Sequence, residues 1–296
     1  MAGIQVNRTD APSNLLPPEV SSEIWADAQE QSIVMQRARR VELPGNGLAI
    51  PVITGDPQAQ FVAETDEKKV SRGTLSSKLM TPYKIAVIEP FSMEFARDLP
   101  ALYNALRGRL GGAIARVFDA AVLNGPAPGS GFDTLASAPS VSIASDTYQQ
   151  FVTALGTVVS AGGDVSAWVL APQGEVKLLS VTDGDQRPLF VPNPQTDGSI
   201  GAVLGRPVYK AKAVYKAAGG VGEDEVLGIG GDWASAVWGS VSGISFSVST
   251  EATLTDGSTQ INLWQRNMFA VRAEIEVGFV CRDVNRFVKL TGQAGA

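Results

Sequence analysis

Apolar and polar residues alternate most strictly near the end of the chain. From Met268 to Val280, Phe269, Val271, Ala273, Ile275, Val277 and Phe279 share one parity, while Arg272, Glu274 and Glu276 take the other. This is the period of a strand with one buried face. So long a strand needs a sheet partner, and the run Tyr83 to Ile88 is the natural one. That run leads into the longest helical pattern, where Leu102, Leu106, Leu110, Ile114 or Ala113, Val117 and Ala121 recur every three or four residues and form a stripe on one helix face. Pro100 suits the first turn, and Asp98 offers a capping oxygen and a charge matched to the helix dipole. Asn124-Gly125-Pro126 ends the pattern. The helix would span roughly 35 Å, the breadth of a domain, and so act as a spine. Gly108, Gly111 and Gly112 interrupt it, each costing about 1 kcal/mol relative to alanine. Two explanations stand: a kink or a pair of helices, or close approach of another backbone or subunit to a side without β-carbons.

Elsewhere the pattern is shorter. Residues 1–17 are polar, contain Pro12 and Pro17, and read as a flexible arm. Pro18 to Arg40 carries a loose helical stripe of Val20, Ile24, Ala28, Ile33 or Val34, and Arg37. Leu48 to Thr54 and Ala59 to Glu64 predict a hairpin around Gly55-Asp56-Pro57, followed by the charged run Thr65-Asp66-Glu67-Lys68-Lys69. It has too few large apolar residues for a core of its own, so its stability would come from a neighbour, another copy of the chain or the edge of the main sheet. Gly125 to Ala138 is a connector rich in Pro, Gly and Ser. A helix over Asp146–Ala161, a strand over Ala167–Ala171 and a helix opened by Pro172 follow, then strands at Val208–Val214, Val226–Ile229 and Ile244–Val248. The glycine clusters at 219–222 and 228–231 are expected to be turns between strands.

Composition narrows the chemistry. A protein of 296 residues, 44% hydrophobic and 18% charged, is able to bury sizeable cores. It has no histidine, and Cys281 is its only cysteine, which removes His-based catalysis and the usual zinc ligands. No conventional enzyme, metal or cofactor is expected. No apolar run is long enough for a membrane span and no signal pattern opens the sequence, so the Asn7-Arg8-Thr9 sequon carries little weight. A net charge of -6 and a pI near 4.9 argue against a nucleic-acid-binding surface. Arginines cluster at 37, 39 and 40 and again at 107, 109 and 116, and the helical ones read as solvated or ion-paired.

The order of parts carries a resemblance. An arm, a hairpin with Val62-Ala63-Glu64, Pro82-Tyr83-Lys84-Ile85-Ala86, a helix ending Asp119-Ala120-Ala121-Val122-Leu123-Asn124-Gly125, Gly231-Asp232-Trp233, and Asn267-Met268 before a terminal strand together resemble tailed-bacteriophage major capsid proteins of the Hong Kong 97 type. The resemblance implies an α+β fold with an N-terminal arm (1–40), an extended loop (41–82), a peripheral domain with the spine helix (83–139), an axial domain (140–245) and a return to the peripheral domain (246–296). It implies a shell tile of the virion that self-assembles into hexamers and pentamers in the host cytoplasm and encloses double-stranded DNA without specific binding. Separate scaffolding, portal and decoration proteins would be its other partners. An encapsulin-type compartment is the alternative within the fold, and a β-rich enzyme, tail protein or adhesin the alternative outside it.

In some members of that family a loop lysine attacks a neighbouring asparagine with help from a glutamate, forming an isopeptide bond. By resemblance Lys68, Asn267 and Glu274 occupy those positions. The chemistry requires an amine that loses its proton on burial and a carboxylate that carries the proton to the leaving ammonia. Asn267 and Glu274 are an odd number of residues apart, so on one strand they face opposite ways. Either they come from different subunits, or Asn267 precedes the strand. The plainer alternative makes Lys68 part of a solvated run, Asn267 a turn residue and Glu274 the partner of a cross-strand cation.

Overall fold

The computed structural model describes residues 18–55, 74–94, 99–182, 199–219, 223–257 and 259–294, with positions 59, 61, 62, 67, 68, 70 and 190 individually. The predicted arm (residues 1–17) and Asp98 lie outside them.

The helical segments are α1 (Pro18–Gln31), α2 (Ile33–Arg37), α3 (Leu99–Asn124), α4 (Thr147–Ser160) and α5 (Pro172–Leu179). The strands are β1 (Arg39–Glu42), β2 (Leu48–Gly55), β3 (Thr74–Met80), β4 (Tyr83–Ser92), β5 (Ser140–Ser142), β6 (Ala167–Leu170), β7 (Gly201–Val203), β8 (Arg206–Lys210), β9 (Asp224–Gly231), β10 (Ala236–Ser240), β11 (Ser245–Ser249), β12 (Thr253–Asp256), β13 (Thr259–Asn262), β14 (Met268–Cys281) and β15 (Phe287–Ala294).

The alternating terminal segment is β14, and it organises a five-stranded sheet. β4 pairs with it antiparallel along one edge, from Met268 opposite Ser92 to Val277 opposite Tyr83. On the other edge its first part takes β11 and its last part β10, which pairs in turn with β1. Every odd residue from Phe269 to Cys281 is buried, because that parity faces the helices. The spine, α3, is a single helix of 26 residues, about 39 Å long. Its buried side runs through Leu110, Ile114, Phe118 and Val122, whereas Val117 is 54% exposed. The expected stripe therefore turns away after Ile114: Phe118, one position beyond Val117, fills the space against Phe132 and Trp238. Gly111 has its reason within the subunit, since a β-carbon there would sit 3.1 Å from the carbonyl oxygen of Ile24 in α1. The missing side chain lets the two helices pack closely.

A second, six-stranded sheet runs β5-β15-β9-β6-β8-β7. β6 is buried on both faces: Ala167 and Val169 join the spine-helix core, while Trp168 and Leu170 meet Phe151, Ala154 and Val158 of α4 and Leu178 of α5 in a second core. Gly228 to Gly231 lie inside β9 rather than in the turn expected of them. A β-carbon at Gly230 would strike the Trp168 ring, and one at Gly231 the Phe287 ring. These glycines make room for cross-strand aromatics. Sheet membership also cuts across the segment boundaries read from the sequence: β10, within 140–245, joins the first sheet, and β15, within 246–296, joins the second.

The hairpin differs from expectation too. β2 pairs with β3, from Leu48 opposite Met80 to Ile53 opposite Leu75. The described residues between Ala59 and Glu64, the segment expected to pair, form no strand. β3 reads Thr-Leu-Ser-Ser-Lys-Leu-Met, an alternation too weak to announce itself. The ribbon is a separate two-stranded sheet anchored at its base, where Ile50 and Met80 pack with Leu43, Val237 and Val280.

One buried charge ties the N-terminal helices to the spine. Asp119 of α3, 2% exposed, accepts from Ser32 Oγ at 2.5 Å and from the backbone N–H groups of Ile33 at 3.0 Å and Val34 at 3.3 Å. It thus caps α2 from another helix. Burial outweighs these hydrogen bonds and pushes its pKa from 3.8 to about 6. A carboxyl raised in the folded state contributes stability that is complete below about pH 4 and lost as pH rises through about 6. Between pH 4 and 7 the unfolding free energy of dissociated subunits should fall by on the order of 3 kcal/mol through this group. Asp119→Asn should remove that component. Urea titrations across this range check it, and identical pH dependence in the two proteins would refute the assignment.

Candidate cross-linking site and charged clefts

Lys68 lies in the connection between β2 and β3 and is exposed. Asn267 sits in a turn immediately before β14, with φ of 52°, a left-handed conformation that asparagine tolerates better than most residues. Its N–H donates to Trp264 O at 3.3 Å, and its carbonyl accepts from Met93 N at 2.9 Å. The residue is exposed. Of the two geometries the sequence left open, the structure has Asn267 preceding the strand.

Glu274 lies midway along β14, opposite Ala86 of β4 and Ser245 of β11. Its carboxylate stands 3.3 Å from Arg272 Nε and 3.7 Å from Lys84 Nζ, and Lys84 also reaches Glu276 at 3.8 Å. The cross-strand cation anticipated as the plainer role is therefore present. Seven strand positions separate Asn267 from Glu274, about 23 Å at the usual rise. Among the described residues no hydrogen bond or ion pair joins any two of Lys68, Asn267 and Glu274. Within one subunit β14 thus holds Asn267 and Glu274 apart.

Two clefts gather charge without gathering a catalytic set. The larger, about 390 Å³, lies between α1, α2, α3 and the segment after β8, and contains Glu30, Arg116, Asp119, Lys210 and Lys212. Arg37 crosses nearby, its guanidinium 4.1 Å from the centre of the Tyr209 ring. The second, about 290 Å³, lies beside the base of the β2–β3 ribbon and is lined by Arg39, Arg282, Arg286 and Asp232. There Arg286 pairs with Asp232 at 3.2 Å, both side chains 18% exposed. The Ser235 hydroxyl donates to the Asp232 carbonyl at 2.7 Å. Gly231-Asp232-Trp233 is thus a structural corner, with Trp233 Nε1 donating to Ala167 O at 3.2 Å. Sequence reasoning missed both clefts, because their residues come from segments far apart along the sequence.

The lone thiol is not a reactive group. Burial pushes Cys281 up to about 12, far from the range of a nucleophilic thiolate. Desolvation, and then the charge of Lys216, lowers the pKa of Lys289, whose ammonium donates to Ala136 O at 2.7 Å. Among the described residues no cluster of acidic, His or Cys side chains could hold a metal ion, and no helix is long and apolar enough to cross a membrane.

The sequence matches the phage capsid family over residues 13–292. It is 34% identical over 294 residues to the probable major capsid protein of Mycobacterium phage L5, spanning 93% of this chain and 89% of that protein. A major capsid protein of Staphylococcus phage 80alpha is 21% identical, covering 92% of this chain and 83% of its own. Among solved structures, a protein of Gordonia phage Cozz superposes with a TM-score of 0.68 at 27% identity, over 90% of this chain and 87% of that one. A protein of Mycobacterium phage Adephagia gives 0.71 at 20% identity, over 90% and 91%, a likeness of fold.

The ion pairs of Glu274 sit at a surface where Lys84 and Arg272 are about half exposed. Glu274→Gln should therefore change the unfolding free energy by less than about 1 kcal/mol. Urea midpoints of the two proteins check this, and a larger loss would make Glu274 a folding residue rather than one available for chemistry.

Proposed function

This chain belongs to the phage capsid family and is a structural major capsid protein of a tailed phage, and from that premise we propose that its copies close into an icosahedral shell of hexamers and pentamers around double-stranded DNA. The observation that carries the proposal is the family match along nearly the whole sequence, with a relative one-third identical over almost all of both proteins. The fold supports it. Among the described residues, a two-stranded ribbon without a second layer of its own adjoins a core built by a long helix and a long strand. We assign residues 41–82 as the loop that reaches a neighbouring copy, 83–139 with the later strands of the first sheet as the peripheral domain, and the six-stranded sheet as the axial domain. Capsid proteins act in the virion, and assembly would take place in the cytoplasm of the host. The net charge of -6 suits a wall that confines DNA without gripping it. Scaffolding, portal and decoration proteins are the further partners this role would use.

The covalent step rests on exposed Lys68, exposed Asn267 ahead of β14, and half-buried Glu274. Neutral Lys68 Nζ of one copy would attack Cγ of Asn267 in a second. The C–N bond of the isopeptide forms as the C–N bond of the asparagine amide breaks, and Glu274 of a further copy passes the amine's proton to the departing ammonia. The separation of Asn267 from Glu274 within one subunit requires that sharing. Electron micrographs of purified protein should show closed shells. After boiling in detergent, wild-type shells should run as a ladder on a denaturing gel, and Lys68→Ala shells as monomer. Micrographs without shells would overturn the shell reading. Shells whose wild-type protein runs only as monomer would overturn the cross-link alone.

A further inference from the structure

We propose that the cleft at the base of the β2–β3 ribbon binds a phosphate group, as the free anion or at the end of a small phosphomonoester. The arginines at the junction of α2 and β1 have different surroundings. Arg37 covers the Tyr209 ring, and Arg40 stands 5.6 Å from the centre of the Trp238 ring, so each has an aromatic partner. Arg39 has neither a ring nor a carboxylate against it among the described residues. It is exposed and lines the cleft, together with Arg282 and Arg286 from the connection between β14 and β15.

The sign of charge in this cleft is the reverse of that of the protein. Three guanidinium groups line it against one carboxylate, Asp232, in a chain whose 30 acidic residues outnumber its 24 lysines and arginines. Asp232 pairs with Arg286 at 3.2 Å. Asp283, next to Arg282 in sequence, does not line the cleft: its Oδ1 accepts from Asn285 N and Nδ2, both at 3.0 Å. Arg282 is engaged in a contact of its own and contributes charge rather than a free donor. Ile50, Val52, Val237 and Val280, each less than a tenth exposed, form the apolar part of the wall. Low-dielectric walls concentrate the field of the arginines inside the cleft.

Arg286 supplies the second observation. Its Nη1 donates to Asp232, but its Nε is buried and has no hydrogen-bond partner. An unpaired buried donor of a charged group is rare in a folded chain, and it is where an acceptor from outside the chain is expected. The donors set the class of that acceptor. A guanidinium presents a planar fork that matches two oxygens of a phosphate, and several cations around one space suit a tetrahedral dianion better than a singly charged carboxylate. Duplex DNA would call for a basic stripe that follows its backbone, whereas these groups gather in one cleft of about 290 Å³. A phosphate held there would touch β1 through Arg39 and the turn before β15 through Arg286, and so brace the base of the ribbon against both sheets.

Calorimetric titration of the full-length protein with inorganic phosphate at constant ionic strength tests this: one anion per chain should bind with a Kd of about 1 mM or tighter. Arg39→Gln should weaken binding about tenfold, and Arg39→Lys by less, because lysine keeps the charge and loses the fork. Arg39 is exposed, so both variants should keep the wild-type circular dichroism. Arg116→Gln, in the other cleft, should bind phosphate as the wild type does. Saturating phosphate should slow amide hydrogen exchange in residues 48–52 several-fold in the wild type and leave it unchanged in Arg39→Gln. Glycerol phosphate binding more tightly than phosphate assigns the site to a phosphomonoester, and weaker binding assigns it to the free anion. No heat of binding by about 10 mM phosphate beyond that given by chloride, or equal affinity in wild type and Arg39→Gln, would overturn the proposal. A short DNA duplex that displaces phosphate at lower concentration than glycerol phosphate does would overturn it too, and make the cleft a nucleic-acid contact.

Discussion

The single parity of β14 aligns everything packed around it. Its inward residues, Phe269 to Phe279, hold the five-stranded sheet against the spine helix, while its backbone bonds β4 on one edge and β10 and β11 on the other. Burying a side chain of this kind contributes about 1.5–3 kcal/mol. A slip of one residue in register would turn the whole set outward, a loss comparable with the roughly 5–15 kcal/mol by which a domain is stable. The strand therefore has one permitted alignment. Asn267 at its start and Glu274 in its middle inherit fixed positions from that alignment, although neither helps to create it.

Around this frame the polar contacts set orientation more than stability. Asp119 fixes where α2 begins relative to the spine. Asn124, the last residue of the same helix and little more than a turn beyond Asp119, donates to Ala213 O at 2.9 Å and Val214 O at 3.3 Å, and so fixes the segment that follows β8 of the second sheet. Arg37 of α2 lies over the Tyr209 ring of β8. Each of these groups spans two segments that the apolar core could hold in more than one arrangement. Directional bonds choose among arrangements that burial alone leaves close in energy.

Much of this was legible in the sequence where period and packing agree. The alternation of β14, its pairing with the strand at Tyr83, the spine ending at Asn124, and the helix-strand-helix order from α4 to α5 all follow from local pattern. The family resemblance could be read because short motifs kept their order from end to end. What could not be read depended on distant partners. Gly230 and Gly231 look like turn residues until Trp168 and Phe287 are placed across from them. β15 pairs with β9 and β5, and no local signal says which sheet it joins. β3 alternates too weakly to be matched with β2. Lys68, Asn267 and Glu274 were legible as a motif only, because no local pattern fixes the relative placement of residues so far apart along the sequence.

The core itself has a mechanical consequence. Val169, Ile229, Trp233 and Phe287 belong to the six-stranded sheet or its corner, yet they are buried in the same cluster as Phe118, Val122 and Phe279. The two sheets are therefore welded by shared apolar contacts rather than linked by a hinge, and rotating one against the other would open that cluster to water. A tile built this way behaves as a stiff plate. A closed surface made of such plates takes its curvature from the seams between them, and an outward push on the wall is carried from plate to plate instead of being absorbed within any one of them.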